Sequence, residues 1–387
     1  MVTAAAGAVF VYGTRYFPFE QQSPTEVSSS LPDSMSNVLA PTETLTPDEV
    51  REGVPWQPTD FSNQTQALGW TPNVFETPEG LKGRVEFWKQ IYSKYSTDQG
   101  VLHDPVTLEI YDRVDFEPYH EGESLTVNAR LRQKIVDQRR SEISDRLLAL
   151  QDRFDRERNA TPFADEPSKA SSIFQLSGKD LRYWKLFEND SDPAKFKKAA
   201  ARIRFQLGQR DKFLLGIYYS GRYLKQMEAI FRDEGLPIEL TRLPFVESSF
   251  NTKARSKVGA SGIWQFMRKT AKPYLKIRSS VDERNDPLLA TRAAARLMRA
   301  NFGMLHSWPL AVTAWNHGPS GVRSITQKMS TEDLATIVNT YSSRTFGFAS
   351  QNFYACFLAA LSVEREAPKY FSKPVWQSPT STVSTDK

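Results

Sequence analysis

The chain has 387 residues, 40% of them hydrophobic, enough for one large or two modest soluble domains. A formal net charge of +5 favours acidic partners of any kind, polymer, lipid or nucleic acid, without choosing among them. A single cysteine, Cys356, excludes an intramolecular disulfide and any cysteine-based zinc site, and His103, His120, His306 and His317 include no pair at metal-ligand spacing, so neither a metal nor a cofactor is expected.

Residues 1–19 contain an apolar run from Val2 to about Tyr12. It falls short of the ~20 residues that span a bilayer, and no Lys or Arg precedes it. Two readings stay open, the remnant of an export signal or membrane tether and a frayed apolar terminus; the run has no cysteine for a lipoprotein anchor. Residues 20–80 are rich in Ser, Thr and Pro with little periodicity, which predicts a disordered spacer.

From Leu81 the periodicity becomes helical. "GRVEFWKQIYSKY" and "VTLEIYDRVDF" place aromatics on one face of predicted helices. "NARLRQKIVDQRRSEISDRLLALQDRF" reads as a long charged helix whose apolar stripe is Leu131, Ile135, Ile143, Leu147 and Leu150. Its charges read as a solvated face rather than a nucleic-acid site. Residues 81–206 are therefore taken as a helical accessory region.

Residues 207–371 read as a second helical domain. A helix ends at Gly235 with Pro237 opening the next, and "NDPLLATRAAARLMRANFG" starts with Asp286 as N-cap and Pro287 at the first helical position. "WPLAVTAWNHGPSGV" is a short buried helix stopped by Gly318 and Pro319, and "SQNFYACFLAALSVER" closes the domain. Residues 372–387 form a flexible Ser/Thr-rich tail. The expected architecture is all-α and two-part.

Three positions in the second domain carry chemistry. Glu247 lies among apolar neighbours near Pro244, and a carboxyl in such surroundings has its charged form disfavoured, as a general acid at neutral pH requires. The alternative is a surface glutamate paired with Arg242 or Lys253. Gln265 stands between Trp264 and Phe266 in a loop punctuated by Gly259 and Gly262, where an amide suits an N-acetyl group and aromatics suit a sugar face. It also suits an amide that merely satisfies its own loop. Asn316 follows Trp315 at a helix end, placed to project into a cleft or simply to cap the helix.

Each signal is weak singly; in this order they are strong. "ES" at 247–248, "GIWQ" at 262–265 and "AWN-x-G" at 314–318 resemble the soluble-type (SLT) lytic murein transglycosylases, whose patterns are E-S, G-L-M-Q and A-Y-N. The run "GLPIELTRLPFVESSF" looks most like their membrane-bound transglycosylase D branch, over about residues 200–330. The resemblance implies a lysozyme-like α-helical domain with a cleft for peptidoglycan glycan strands. It implies that one glutamate, here Glu247, cleaves the bond between N-acetylmuramic acid and N-acetylglucosamine without water, acting as acid and then as base on the way to a 1,6-anhydro product. By the same resemblance Ser248, Gln265 and Asn316 bind substrate, with Trp264, Phe266 and Trp315 as cleft walls, and the protein works in the periplasm or cell envelope. Trp264 and Trp315 depart from the family's Met and Tyr. Phe348 falls where the family has a late Tyr, so a cleft hydroxyl is missing unless Tyr341 or Tyr354 supplies it. The rival readings are a goose-type-like lysozyme, with a second carboxylate among Asp282, Glu283 and Asp286, and a non-catalytic peptidoglycan-binding scaffold.

Overall fold

The computed structural model describes residues 54–61, 66, 69–70, 74–120, 127–160 and 176–378. The apolar run at 1–19, most of the spacer and the end of the tail lie outside the described residues. Among those described, no helix is long and apolar enough to cross a membrane.

In chain order, β1 (Val54–Pro55) and α1 (Lys82–Ser93) precede a hairpin of β2 (Gln99–His103) and β3 (Ile110–Asp115). The helices α2 (Ala129–Ala160), α3 (Gly178–Leu186) and α4 (Lys195–Ala200) lead to β4 (Arg204–Leu207). Then come α5 (Arg210–Ser220), α6 (Leu224–Asp233), α7 (Leu243–Glu247), α8 (Arg268–Ala271), α9 (Pro287–Leu305), α10 (Trp308–His317), α11 (Pro319–Met329), α12 (Leu334–Thr340) and α13 (Phe348–Arg365). α14 (Ala367–Tyr370) and β5 (Val375–Trp376) follow. Helix dominates, and the predicted boundary signals act as expected. Asp286 accepts from Leu288 N–H at 2.9 Å and Leu289 N–H at 2.8 Å with Pro287 in the first turn, and Gly235 takes a left-handed φ of 62° behind α6.

One predicted helix is not a helix. "VTLEIYDRVDF" forms β3, paired antiparallel with β2, which on its other edge pairs antiparallel with β4. Asp104 makes the turn, accepting the N–H groups of Val106 and Thr107 before Leu108 adopts a positive φ.

The described residues bury two apolar cores, and β2 links them. Successive strand residues face opposite ways, so Val101 enters the larger core with α1, α5–α7, α9, α10, α12 and α13, while Leu102 enters a smaller one with β3 and α2–α4. Ile135, Ile143, Leu147 and Leu150 of the predicted stripe are buried in the smaller core, with Leu131 against its edge. α1, read from the sequence as accessory, packs on α13 in the larger core. Its Trp88 is fully buried and donates to Asn352 Oδ1 at 3.2 Å, beside Arg84, which donates to the same oxygen.

The spacer reading also changes from Val54 onward. Val54 and Pro55 pair with Trp376 and Val375, so the start of the tail is a strand too. Trp56 and Phe61 are buried, and Trp70 meets Phe302 and Trp308 edge-on, each at 5.3 Å between centroids. These aromatics, diluted among Ser, Thr and Pro, supply the burial that the segment's average composition hides.

Candidate functional site

Glu247 is the last residue of α7, a five-residue helix reached through a 3-10 turn, Ile238–Arg242. Pro244 sits in the first turn of α7, so it opens this helix rather than ending one. Directly after it the chain reverses through Ser249 and Phe250, at φ of 51° and 58°. Gln265 is at 46°; non-glycine residues in this region signal backbone held by its surroundings, and they gather at functional sites.

The Glu247 side chain is buried, the residue being 6% exposed. Its Oε1 accepts a hydrogen bond from Trp315 Nε1–H at 2.9 Å. Burial pushes the carboxyl up to about 8, against the smaller opposing pull of the Trp315 hydrogen bond, which favours the charged form. Arg242 is not its partner: that guanidinium is fully buried and bound to Glu228, with Glu364 3.7 Å away.

Ser248 is committed within the fold, its hydroxyl donating to Ile263 O at 2.8 Å. That bond joins the end of α7 to the loop carrying Gln265. The loop is drawn tight by Gly262 N–H to Ala254 O, by a two-way bridge between Ser261 and Phe266, and by Arg284, which donates to Gly259 O and Phe266 O while held by Asp282. Gly262 is required there: at φ +76°, a Cβ would lie 1.9 Å from Arg284 O.

Within the loop, Gln265 Nε2 donates to Ala254 O at 3.1 Å and Gly262 O at 2.9 Å, while its buried Oε1 has no partner. Asn316 shows the converse. Its Oδ1 accepts from Ser350 Oγ at 2.8 Å and its buried Nδ2 has none. Buried polar atoms are almost always satisfied, so an orphan acceptor and an orphan donor on these two amides call for a ligand or water to complete them.

The aromatic residues divide. Trp315 is half-buried between Trp264 and Phe266, with centroids 5.5 and 5.2 Å away. Trp264, expected at the cleft wall, is fully buried, stacked on Phe231, and donates to Thr291 Oγ1 at 2.9 Å. It is a core residue that backs Trp315. Phe266 is 2% exposed and meets the other side of Trp315.

Phe348 packs on Trp88 and His103 under Arg204. The ring that meets the Asn316 end of α10 is Phe346, 5.1 Å from His317. Tyr354 is buried beside Phe357 and Tyr341 leans on Phe346. Ser350 and Thr291, which orient Asn316 and Trp264, were not singled out in the sequence, where an isolated hydroxyl within a helix gives no signal. Glu247 lines neither a cavity of about 700 Å³ between α2 and α3 nor one of about 490 Å³ beside Phe61 and Phe75.

The helical domain that carries this buried acid and amide-bearing loop is lysozyme-like in fold. Residues 227–337 match the transglycosylase SLT domain, so this part of the chain is similar to that family. It is similar to membrane-bound lytic murein transglycosylase D of Escherichia coli strain K12, 36% identical over 102 residues, which are 26% of this chain and 23% of that protein. It is also similar to a putative tributyltin chloride resistance protein of Alteromonas sp. strain M-1, 37% identical over 107 residues, 26% of this chain and 49% of that one. The matches thus span about a quarter to a half of these relatives' length.

Proposed function

We propose that this protein is a peptidoglycan lytic transglycosylase that cleaves the bond between N-acetylmuramic acid and N-acetylglucosamine without water. The observation that carries the reading is the Glu247 carboxyl, buried and raised to about 8, and therefore protonated at neutral pH. Trp315 occupies Oε1, which leaves Oε2 to bear the proton.

Oε2–H gives its proton to the glycosidic oxygen as the bond to C1 of the muramic sugar breaks. The substrate's acetamido oxygen stabilises the cationic C1. Glu247, now a carboxylate held by the Trp315 N–H, takes the proton of the C6 hydroxyl as that oxygen bonds to C1. The product is a 1,6-anhydro ring, no water is consumed, and the acid is restored for the next cycle. The orphan atoms suit this substrate: Gln265 Oε1 would accept an acetamido N–H, and Asn316 Nδ2 would donate to an oxygen near the developing charge.

Hydrolysis with inversion needs a second carboxylate ~6.5–9.5 Å from the first. The three sequence candidates are otherwise engaged: Asp282 with Arg284, Glu283 with the Lys276 N–H at 2.6 Å, and Asp286 at the start of α9. Because peptidoglycan lies outside the inner membrane, the reading carries a cell-envelope location with it. Mass spectrometry of murein digested by the purified protein tests it. Fragments ending in anhydro-muramic acid are the expected product, and reducing ends in their place would sink the proposal.

A further inference from the structure

A stretch of sequence with a net charge of +8 carries the Gln265 loop of the candidate site. Between Asn251 and Val281 lie Lys253, Arg255, Lys257, Arg268, Lys269, Lys272, Lys276 and Arg278, with no Asp or Glu. Eight of the chain's 50 basic residues and none of its 45 acidic ones are in this segment, so the rest, with 42 basic residues, is slightly acidic. All eight are exposed.

This lobe is rigid where it matters. Backbone bridges join Arg255 to Ser261, Ser261 to Phe266 and Ile277 to Asp282, and the guanidinium of Arg284 ties Gly259 to Phe266. The nearest acid in sequence, Asp282, is held in a two-point pair with Arg284, which leaves its charge turned to the fold's own use. The lobe is also the loop that carries Gln265, so a polymer lying across Glu247 and Gln265 passes directly beside it.

We propose that this lobe is an electrostatic dock for the carboxylate-bearing peptide stems of the strand whose glycan occupies the site. The inference rests on the peptidoglycan reading above and adds to it a second recognition element, for peptide rather than sugar. Stems branch from alternate sugars, so successive carboxylates line the strand at intervals that a cluster of long, mobile cations meets without a shaped pocket. With a screening length of ~8 Å at physiological salt, each cation acts on the carboxylates within about that reach. A lipid surface fits less well, because the large apolar residues exposed on the lobe are two separate valines, Val258 and Val281. Nucleic acid fits less well too, since the lobe's aromatic rings, Trp264, Phe266 and Tyr274, are buried or half-buried and offer no stacking platform.

The test uses the full chain with Glu247→Gln, so that binding is measured without turnover. Two charge-neutral triples are added separately, Lys253→Gln with Arg255→Gln and Lys257→Gln, and Arg268→Gln with Lys269→Gln and Lys272→Gln. A matched control neutralises the exposed Arg130, Lys134 and Lys197. Sedimentation with intact sacculi is expected to show at least a tenfold weaker Kd at low salt and a flatter salt dependence for either lobe triple. Binding to glycan strands stripped of peptide should be unchanged, as should the control on both. Equal loss on stripped strands, equal loss in the control, or loss on anionic phospholipid vesicles alone would overturn the proposal. The lytic reading is scored separately, by whether the unsubstituted protein releases anhydro-ended fragments from stripped strands.

Discussion

Trp315 and Glu247 lie 68 positions apart in sequence, yet the indole N–H of one donates to Oε1 of the other at 2.9 Å. The bond fixes the carboxyl's rotamer and stabilises its charged form, opposing the burial that stabilises the neutral one. Trp315→Phe keeps a ring between Trp264 and Phe266 while deleting the donor. The Glu247 carboxyl should then titrate higher still, and the alkaline limb of the pH–rate profile on peptidoglycan should move upward. In the proposed cycle the carboxylate formed after the first proton transfer also loses its donor, so kcat should fall about ten- to a hundredfold, in line with ~1.5–3 kcal/mol for a hydrogen bond to a charged group. An unmoved limb would mean that the indole does not act on the acid.

Removing the acid itself separates chemistry from folding. Glu247→Gln should lower turnover of sacculi by ~10²–10⁴-fold, the range for loss of a general acid–base group. The stability effect has a definite sign. A folded-state value near 8, against an ordinary 4.5, means that the native state holds a proton which the unfolded chain has released between those values. That contribution is complete below about 4.5 and is lost as pH rises through 8. Gln has no such dependence, so Tm of the variant relative to the parent should rise between pH 5 and pH 9. A parallel pair of Tm–pH curves would contradict the raised value.

How far the sequence disclosed this site depends on the kind of signal. Caps and stops are local chemistry, so Asp286, Pro287, Gly235 and Gly318 mark helix ends that the structure reproduces. The Glu247, Gln265 and Asn316 motifs were legible because fixed spacing within one domain survives without knowledge of the fold. The roles of the residues beside them were not. Trp264 looks like a cleft wall in sequence because only tertiary packing shows Thr291 and Phe231 enclosing it. Phe346 and Phe348 are two residues apart, and nothing local says which ring reaches His317. The β2–β4 sheet escaped for a related reason: β4 lies about 100 residues beyond β2, its partner strand, and Tyr111 and Val114 are spaced as a helical period requires.

The two glycines of the Gln265 loop should respond differently to alanine. Both have positive φ, at +91° for Gly259 and +76° for Gly262, so each substitution carries a backbone cost of about 1–2 kcal/mol. Gly259 has open space around the missing Cβ, and Gly259→Ala should cost little more than that. At Gly262 the added carbon would collide with Arg284 O, a backbone atom that cannot yield without displacing the Arg284 and Asp282 pair. Gly262→Ala should therefore be clearly the more destabilising in denaturant unfolding, and should also lower activity by displacing Gln265. Equal costs at the two positions would show that the loop is looser than its hydrogen bonds indicate.

The segment before α1 offers the last test, because it looks dispensable by composition and is not by packing. Phe61 lies between two guanidinium groups, Arg242 and Arg365, each 4.9 Å from its ring centre, and Thr59 Oγ1 accepts from Arg242 at 2.7 Å. Arg242 is fully buried and is the last residue of the turn that positions α7. Removing residues 1–61 would strip this cation of its ring and hydroxyl and uncover the surface beneath Trp56. A buried charge that loses partners is expensive, and burying a large aromatic is worth ~3–5 kcal/mol. The truncated chain should unfold at least 10 °C lower than the parent or fail to accumulate as folded protein. Phe61→Ala is the milder variant and should lower Tm by several degrees while leaving Glu247 chemistry at low temperature intact. A truncated chain with unchanged Tm would return residues 54–61 to the role of simple spacer.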